Sequence, residues 1–252
     1  MTAQTISALI VARNEERQVA ACLDGLGFAD QIVLVLDRCT DGTGRVAARY
    51  GATVVEGAWP IEGDRRNAGI AACRGPWIFE VDADERIPQA LADEVRRAVA
   101  AGAGDIFNVP IHNYVGGRWI RYGWGGLFGT NGRSALFRKG AKTWGRERIH
   151  PRFHVSGRQG TDLGTGIVHH IDRNISDMVL RFDRYTTARA ADLRERREYR
   201  SVPNLVRKIF SRFGKCYVMR RGYKEGGYGV LIALFAALYP VVSQLKAELE
   251  EE

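Results

Sequence analysis

Between residues 5 and 103, short apolar runs alternate with stretches in which apolar residues recur every three or four positions. Ile6–Val11 is a mostly apolar run with no polar alternation, the signature of a strand buried on both faces. It ends at Ala12-Arg13-Asn14-Glu15-Glu16, where Asn14 is expected to cap a helix carrying Val19, Ala20, Leu23 and Leu26. Gln31–Leu36 predicts a second buried strand, Gly44–Tyr50 a short helix stopped by Gly51, and Ala52–Val55 a third strand. Gly63–Cys73 is expected to be helical and to end at Gly75 in a left-handed cap. Trp77–Val81 is the next strand, and Pro88 suits the first position of a helix over Gln89–Ala100, ended by Gly102.

Strand following helix four times over predicts a parallel sheet covered on both faces. In such sheets ligands bind beyond the carboxyl ends of the strands. Polar residues gather at those ends: Arg13-Asn14-Glu15, Asp37 to Thr43, and Asp82-Ala83-Asp84. No G-x-G-x-x-G follows the first strand and no G-x-x-x-x-G-K-[ST] is present, which disfavours dinucleotide enzymes and P-loop NTPases.

Asp82 and Asp84 are spaced i, i+2, so on a continuing strand both carboxylates would point the same way. Two carboxylates held that close repel unless a cation lies between them. Hard oxygen donors suit Mg²⁺ or Mn²⁺, ions commonly shared with substrate phosphates.

Beyond residue 104 the pattern loosens. Asp105–Ile111 and Ser134–Phe137 read as strands, separated by a glycine-rich stretch holding Trp119, Tyr122, Trp124 and Phe128, aromatics able to pack or to stack on a sugar. Glu147, His150, His154, His169 and His170 follow the Arg138-Lys139-Gly140 turn. Residues 178–213 are expected to be helical. The run Gly229–Val242, interrupted by Pro240, falls short of the roughly 20 apolar residues that span a bilayer and predicts a docked or interfacial helix.

The totals add little until charge is mapped. A 45% hydrophobic and 26% charged composition is that of a folded globular chain of 252 residues. Four scattered cysteines without a C-x-x-C pair argue against a disulfide framework or structural zinc and fit a reducing compartment. The N-terminus lacks a basic n-region, so no signal peptide is expected. The net charge of +8 is concentrated: residues 181–224 hold 14 Lys/Arg against 4 Asp/Glu. Such a block suits an anionic partner surface. Residues 186–198 interleave no aromatics with these cations, which disfavours single-stranded nucleic acid.

Together, several motifs resemble those of family 2 glycosyltransferases of the GT-A fold, and more narrowly the lipopolysaccharide-core glucosyltransferase group. They are Leu9-Ile10-Val11-Ala12-Arg13-Asn14-Glu15-Glu16, Val35-Leu36-Asp37 through Thr43, Gly63-Asp64-Arg65-Arg66-Asn67 and Val81-Asp82-Ala83-Asp84-Glu85-Arg86. Leu136-Phe137-Arg138-Lys139-Gly140, His169, Tyr185 and Arg221-Gly222-Tyr223 with Gly226-Gly227 continue the match over nearly the whole chain. The resemblance implies an α/β GT-A (Rossmann-like) nucleotide-binding sheet over 1–103, an acceptor-side region over 104–177 and a basic, amphipathic helical region over 178–252. It also implies inverting transfer from a nucleotide-sugar donor, UDP by family, to a glycan or lipid-linked acceptor in cell-envelope biosynthesis. Ala12, Arg13, Glu15, Asp37, Arg65, Arg66, Asn67, Asp82 and Ala83 would line the nucleotide pocket, with Asp84 and Asp82 at a divalent metal (Mn²⁺ or Mg²⁺). The expected location is cytoplasmic, peripheral on the inner face of the plasma (inner) membrane, against an anionic lipid surface and without nucleic acid.

One departure stands out. The family offers a His-Glu pair after the Arg-Lys-Gly turn, where this chain has His150-Pro151, so Glu147 and then His150 become the candidates for the base. Two other readings remain open at this point. A sugar nucleotidyltransferase would want a glycine-rich basic loop after the first strand, which is missing. A non-catalytic, membrane-peripheral protein on the same fold would account for the basic block and the lost glutamate.

Overall fold

A computed structural model of the protein describes residues 4–125, 129–146 and 152–250. The chain forms two compact units, Met1–Ile111 with Gly132–His169 and His112–Asn131 with His170–Glu252. Each compact unit joins two separated stretches, because two strands, Ile106–Val115 and Ile167–Asp172, begin in the first unit and end in the second.

In the first unit, β1 (Ile6–Ala12), β2 (Gln31–Asp37), β3 (Thr53–Gly57) and β4 (Trp77–Asp82) form a parallel sheet in the order β3-β2-β1-β4. Every residue of β1 is buried. Ala8 and Ile10 pack with Leu34, Phe79 and Val81, whereas Leu9 and Val11 join Val33, Val35 and Ile78 in a separate cluster. This alternation is what a sheet covered on both faces requires. Register aligns the strand ends, with Ala12 beside Leu36 and Val11 beside Asp82. The polar residues after β1, β2 and β4 therefore meet at one edge.

The covering helices are α1 (Val19–Leu23, extended by a 3₁₀ turn over Asp24–Leu26), α2 (Thr43–Arg49), α3 (Glu62–Ala72) and α4 (Gln89–Ala101). Three expectations about their ends are corrected. Asn14 is not a helix cap: it lies in the left-handed region (φ 58°), which asparagine tolerates, and α1 begins only at Val19. Pro88 precedes α4 in extended conformation (ψ 148°) rather than occupying its first turn. Gly75 does not adopt positive φ. Glycine is needed there for space, since a Cβ would lie 2.9 Å from the Thr5 carbonyl oxygen and 3.0 Å from Ser7 Oγ. Gly102 does close α4 in the left-handed conformation, at φ 59°.

Past α4 the sheet turns antiparallel. Following β5 (Glu85–Arg86), β6 (Ile106–Val115) and β7 (Arg118–Trp119), β8 (Gly132–Arg138) pairs with both β4 and β6. A small hairpin of β9 (Lys142–Trp144) and β10 (Phe153–Val155) precedes β11 (Ile167–Asp172). β11 runs antiparallel to β5, placing His169 opposite Glu85.

The second unit is mainly α5 (Ile175–Arg196), α6 (Val202–Gly214) and α7 (Gly227–Leu249), with a π-helical turn over Lys215–Met219 extending α6. Its core gathers Val115, Ile120, Trp124, Met178 and Ile232. Residues 178–213 are helical, as expected, apart from a break between α5 and α6, where Arg197 takes a left-handed conformation (φ 52°) and closes α5, the role glycine usually fills. The Arg221-Gly222-Tyr223 and Gly226-Gly227-Tyr228-Gly229 motifs serve close packing here, since a side chain at Gly229 would collide with the Gly222 carbonyl. The tail helix is longer than the apolar run expected for it. α7 runs 23 residues, straight through Pro240, and by length and composition is long and apolar enough to cross a membrane; half of its apolar window is buried. Proline leaves the Ala236 carbonyl without its helical donor, and Arg212 supplies a replacement at 3.5 Å.

Candidate active site

Two loops at the carboxyl edge of the sheet are sewn together by side chains. Asn14 Oδ1 accepts from the Thr40 N–H at 2.8 Å, the Glu15 N–H donates to Thr43 Oγ1 at 2.9 Å, and the Gly42 N–H donates to Glu16 Oε2 at 2.9 Å. The left-handed turn at Asn14 is what aims its amide at the second loop. Ala12 is buried at the end of β1 and Arg13 is exposed beyond it.

Asp37, closing β2, is fully buried. Its carboxylate accepts from Arg38, from Arg65 at 3.0 Å and from the Trp59 N–H at 3.0 Å. Burial alone would raise its pKa, but these donors hold it below the usual carboxylate range. Asp37→Asn is expected to destabilise the protein by roughly 1.5–3 kcal/mol at neutral pH, the range for hydrogen bonds to charged groups. A depressed folded-state pKa stabilises above the unfolded value, so the wild-type advantage should be complete above about pH 4 and disappear as pH falls through the folded pKa. Urea denaturation of both proteins from pH 7 downward checks this; an advantage that grows on acidification would contradict it.

At the end of β4 the strand stops at Asp82, so Asp84 sits in the following turn rather than on the strand, and the simple alternation expected for the pair does not hold. Asp82 takes Arg66 on one oxygen at 3.1 Å and Arg133 on the other at 2.8 Å. Against the cost of burial, these two cations drive its pKa far below normal. Arg66 is not a solvated helix residue: it also binds Glu62 and Glu80 and lies over the Trp144 ring. Asn67, next on α3, both donates to the Trp144 carbonyl and accepts from its N–H, fixing β9 against the helix.

Behind Asp82 lies a buried charge cluster that sequence reasoning missed. Glu80 and Lys142 pair at 2.6 Å, both about 1% exposed, and Lys142 Nζ sits among the rings of Phe137, Trp144 and Phe153. Burial pushes the Lys142 pKa down, whereas Lys142, Arg66 and Arg133 together overcome burial to lower that of Glu80. With three cations around one carboxylate, the ionised pair is the state we assign. Glu85 accepts from Arg133 at 2.6 Å and from the Asp82 N–H at 2.9 Å. Burial, with the Asp82 and Asp84 charges, raises it to about 7 against the pull of Arg133. A lone glutamate inside Trp77-Ile78-Phe79-Glu80-Val81 was the available signal, since buried carboxylates are paired. Arg133, from β8, had none.

Asp84 Oδ2 lies 3.2 Å from His169 Nε2. The β5–β11 pairing makes this meeting, bridging 85 residues of sequence. Burial opposes protonation of His169, but Asp84, then Glu85 and Asp82, outweigh it and raise its pKa. A carboxylate oxygen beside an imidazole nitrogen is a donor set suited to Mn²⁺ or a similar divalent ion. Among the described residues no three His, Cys, Asp or Glu side chains converge as a ligand set. A cation there would draw the rest of its shell from phosphate and water. Asp82 fits less well, both its oxygens being engaged by guanidinium. Glu147 and His150, the candidate bases, lie outside the described residues, as does Pro151. An open cavity of about 660 Å³ beside α2, lined by Arg38, Cys39, Asp41, Arg45 and Glu56 among others, contains none of the expected nucleotide contacts.

A parallel sheet of this order with acidic residues past its strand ends is the GT-A arrangement of a glycosyltransferase. The chain belongs to glycosyl transferase family 2, whose family model matches residues 7–155. It is similar to the lipopolysaccharide core biosynthesis glycosyltransferase LpsC of Rhizobium meliloti (strain 1021), 24% identical over 96% of this chain and 91% of that protein. An uncharacterized glycosyltransferase of Rickettsia typhi is 29% identical over 38% of this chain and 33% of its own length. The crystal structure of S. aureus TarS 1-349 shares the fold, with a TM-score of 0.51 at 13% identity, over 96% of this chain and 88% of that one.

Proposed function

We propose that the protein transfers a sugar from a UDP-sugar, with inversion, to a glycan or lipid-linked acceptor in lipopolysaccharide-type envelope biosynthesis, at the cytoplasmic face of the membrane. The observation that carries this reading is the Asp84–His169 pair just past β4, in a chain of this family. Similarity to LpsC over nearly the full length supports the envelope pathway.

In this reading Ala12, Arg13, Glu15, Asp37, Arg65 and Ala83 line the nucleotide pocket, while Arg66 and Asn67 act from behind, holding Asp82 and the β9 backbone. Asp84 with His169 would hold a divalent cation, which when bound neutralises charge on the departing nucleoside diphosphate. The acceptor oxygen attacks the anomeric carbon as the bond from that carbon to the diphosphate oxygen breaks. The hydroxyl proton passes to a base, for which Glu147 and His150 are the candidates. Arg66 and Arg133 leave Asp82 electrically neutralised, so the Asp84 turn is not faced by a second uncompensated carboxylate.

Thermal unfolding tests donor binding. With UDP and Mn²⁺ at a hundredfold excess over Kd, stabilisation of about 2.7 kcal/mol is expected. For a chain of this size that raises Tm by roughly 5–10 °C. Absence of a shift with UDP, and with GDP, CDP and dTDP in parallel, would overturn the nucleotide-sugar reading.

A further inference from the structure

The exposed apolar side chains are unevenly distributed. Of 18 large hydrophobic residues exposed among the described residues, 15 belong to the second unit. The most exposed cluster is on one continuous helical stretch. Val202, Val206 and Phe210 recur at every fourth position of α6, and with Gly214 at the next step the row continues to Val218, followed by Met219, in the π-helical turn. Phe210, Met219 and Val202 are more than 70% exposed. Side chains four apart share a helix face, so these form a ridge on the order of 25 Å long. The opposite side of α6 is accounted for: Leu205 is buried, and Phe213 packs with Cys216, Ala233 and Ala236.

The same stretch is strongly cationic. Arg207, Lys208, Arg212 and Lys215 lie on it and Arg200 just before it, with no Asp or Glu between Arg200 and Lys224. Burial and the neighbouring Arg200, Arg212 and Arg207 depress the Lys208 pKa, a sign of cations crowded without a counter-charge. An apolar ridge inside a cationic field calls for a partner that is oily in depth and anionic at its surface. Nucleic acid supplies only the second property, and an apolar protein groove only the first.

We propose that the Val202–Val206–Phe210–Val218–Met219 ridge is the protein's membrane-contact surface, inserting shallowly into an anionic bilayer while the flanking Arg and Lys residues engage lipid phosphates. This deepens the proposed function by naming the surface that meets the lipid. It does not depend on the identity of the donor. The geometry favours this stretch over α7, whose exposed row of Val230, Leu234, Leu238 and Leu245 is in each case less than half exposed and whose one strongly exposed apolar side chain, Leu249 at 75%, is the last residue of the helix, away from any row of its kind. Amphipathic helices bind in this way by adding apolar burial to attraction for anionic headgroups.

Flotation of the full-length protein with vesicles tests the surface. Binding is expected to phosphatidylcholine vesicles containing about 30% phosphatidylglycerol, with little to phosphatidylcholine alone, and to weaken sharply in about 0.5 M salt. Phe210→Ser/Met219→Ser and, separately, Arg207→Glu/Lys215→Glu should each weaken binding at least about tenfold. Leu234→Ser/Leu238→Ser should change it less than about twofold, having little share in the contact. All variants should keep the UDP-dependent Tm shift, which separates failure of this surface from failure of the nucleotide reading. Equal binding to neutral vesicles, or loss of binding only in the α7 variant, would overturn the proposal. So would a dimer in light scattering that the Phe210→Ser/Met219→Ser change dissociates, because the ridge would then meet a second copy of the chain.

Discussion

Asp84→Ala is expected to lower sugar transfer by about 10²–10³-fold, the usual loss when one electrostatic stabiliser of a developing charge is removed. Asp84 is one-third exposed and meets His169 at 3.2 Å, so its removal takes little from the buried structure. Tm without ligand should move by no more than about 2 °C, as for a surface change of around half a kcal/mol. The metal-dependent part of the UDP shift should vanish. The neighbouring Asp82 should behave oppositely. Asp82→Asn leaves Arg66 and Arg133, themselves only 11% and 17% exposed, short of an ion-pair partner, so its first effect should be on stability, read in the same thermal scans. Transfer by Asp84→Ala within about threefold of wild type would remove this residue from the chemistry, since so small a change is under 1 kcal/mol.

The second large effect concerns the cluster behind the site. Glu80→Gln is expected to destabilise the protein by about 3–5 kcal/mol, because Lys142 and Arg66 lose a carboxylate at 2.6 and 2.8 Å inside the structure. In a chain this long that corresponds to a fall in Tm of roughly 10 °C. Lys142→Met should cost less, since Glu80 keeps Arg66. The double variant should lose less than the two single changes added together, as residues in one network do not act independently. Strict additivity in chemical denaturation would show that the pair is not coupled. The cluster also explains why the site holds its form: Glu80 and Asp82 lie at the end of β4 and Glu85 at the start of β5, and Arg66 and Arg133 grip these carboxylates from α3 and β8 on either side of the Asp84 turn.

Local pattern was sufficient wherever periodicity and chain order act alone. The apolar runs at Ile6–Val11, Gln31–Leu36 and Trp77–Val81 gave the parallel strands, because a strand buried on both faces has no polar alternation to hide. The same runs placed Arg13–Glu16, Asp37–Thr43 and Asp82–Asp84 at one edge, since parallel strands must end together. Helix ends were less legible. Asn14 and Gly75 each carry a local preference that a distant contact or a crowded backbone overrode.

The partners of Asp82 and Asp84 were decided only by tertiary structure. His169 reaches Asp84 through the pairing of β11 with a two-residue strand, and Arg133 reaches Asp82 because β8 inserts antiparallel beside β4. Arg133 stands in no pattern that betrays its role, and His169 was marked only by the family resemblance, which did not name Asp84 as its partner. Sequence periodicity reports which face of an element is buried; it carries no record of which residue, 51 or 85 positions away, the fold brings to that face. The backbone order was written locally, and the electrostatics of the site were written by long-range pairing.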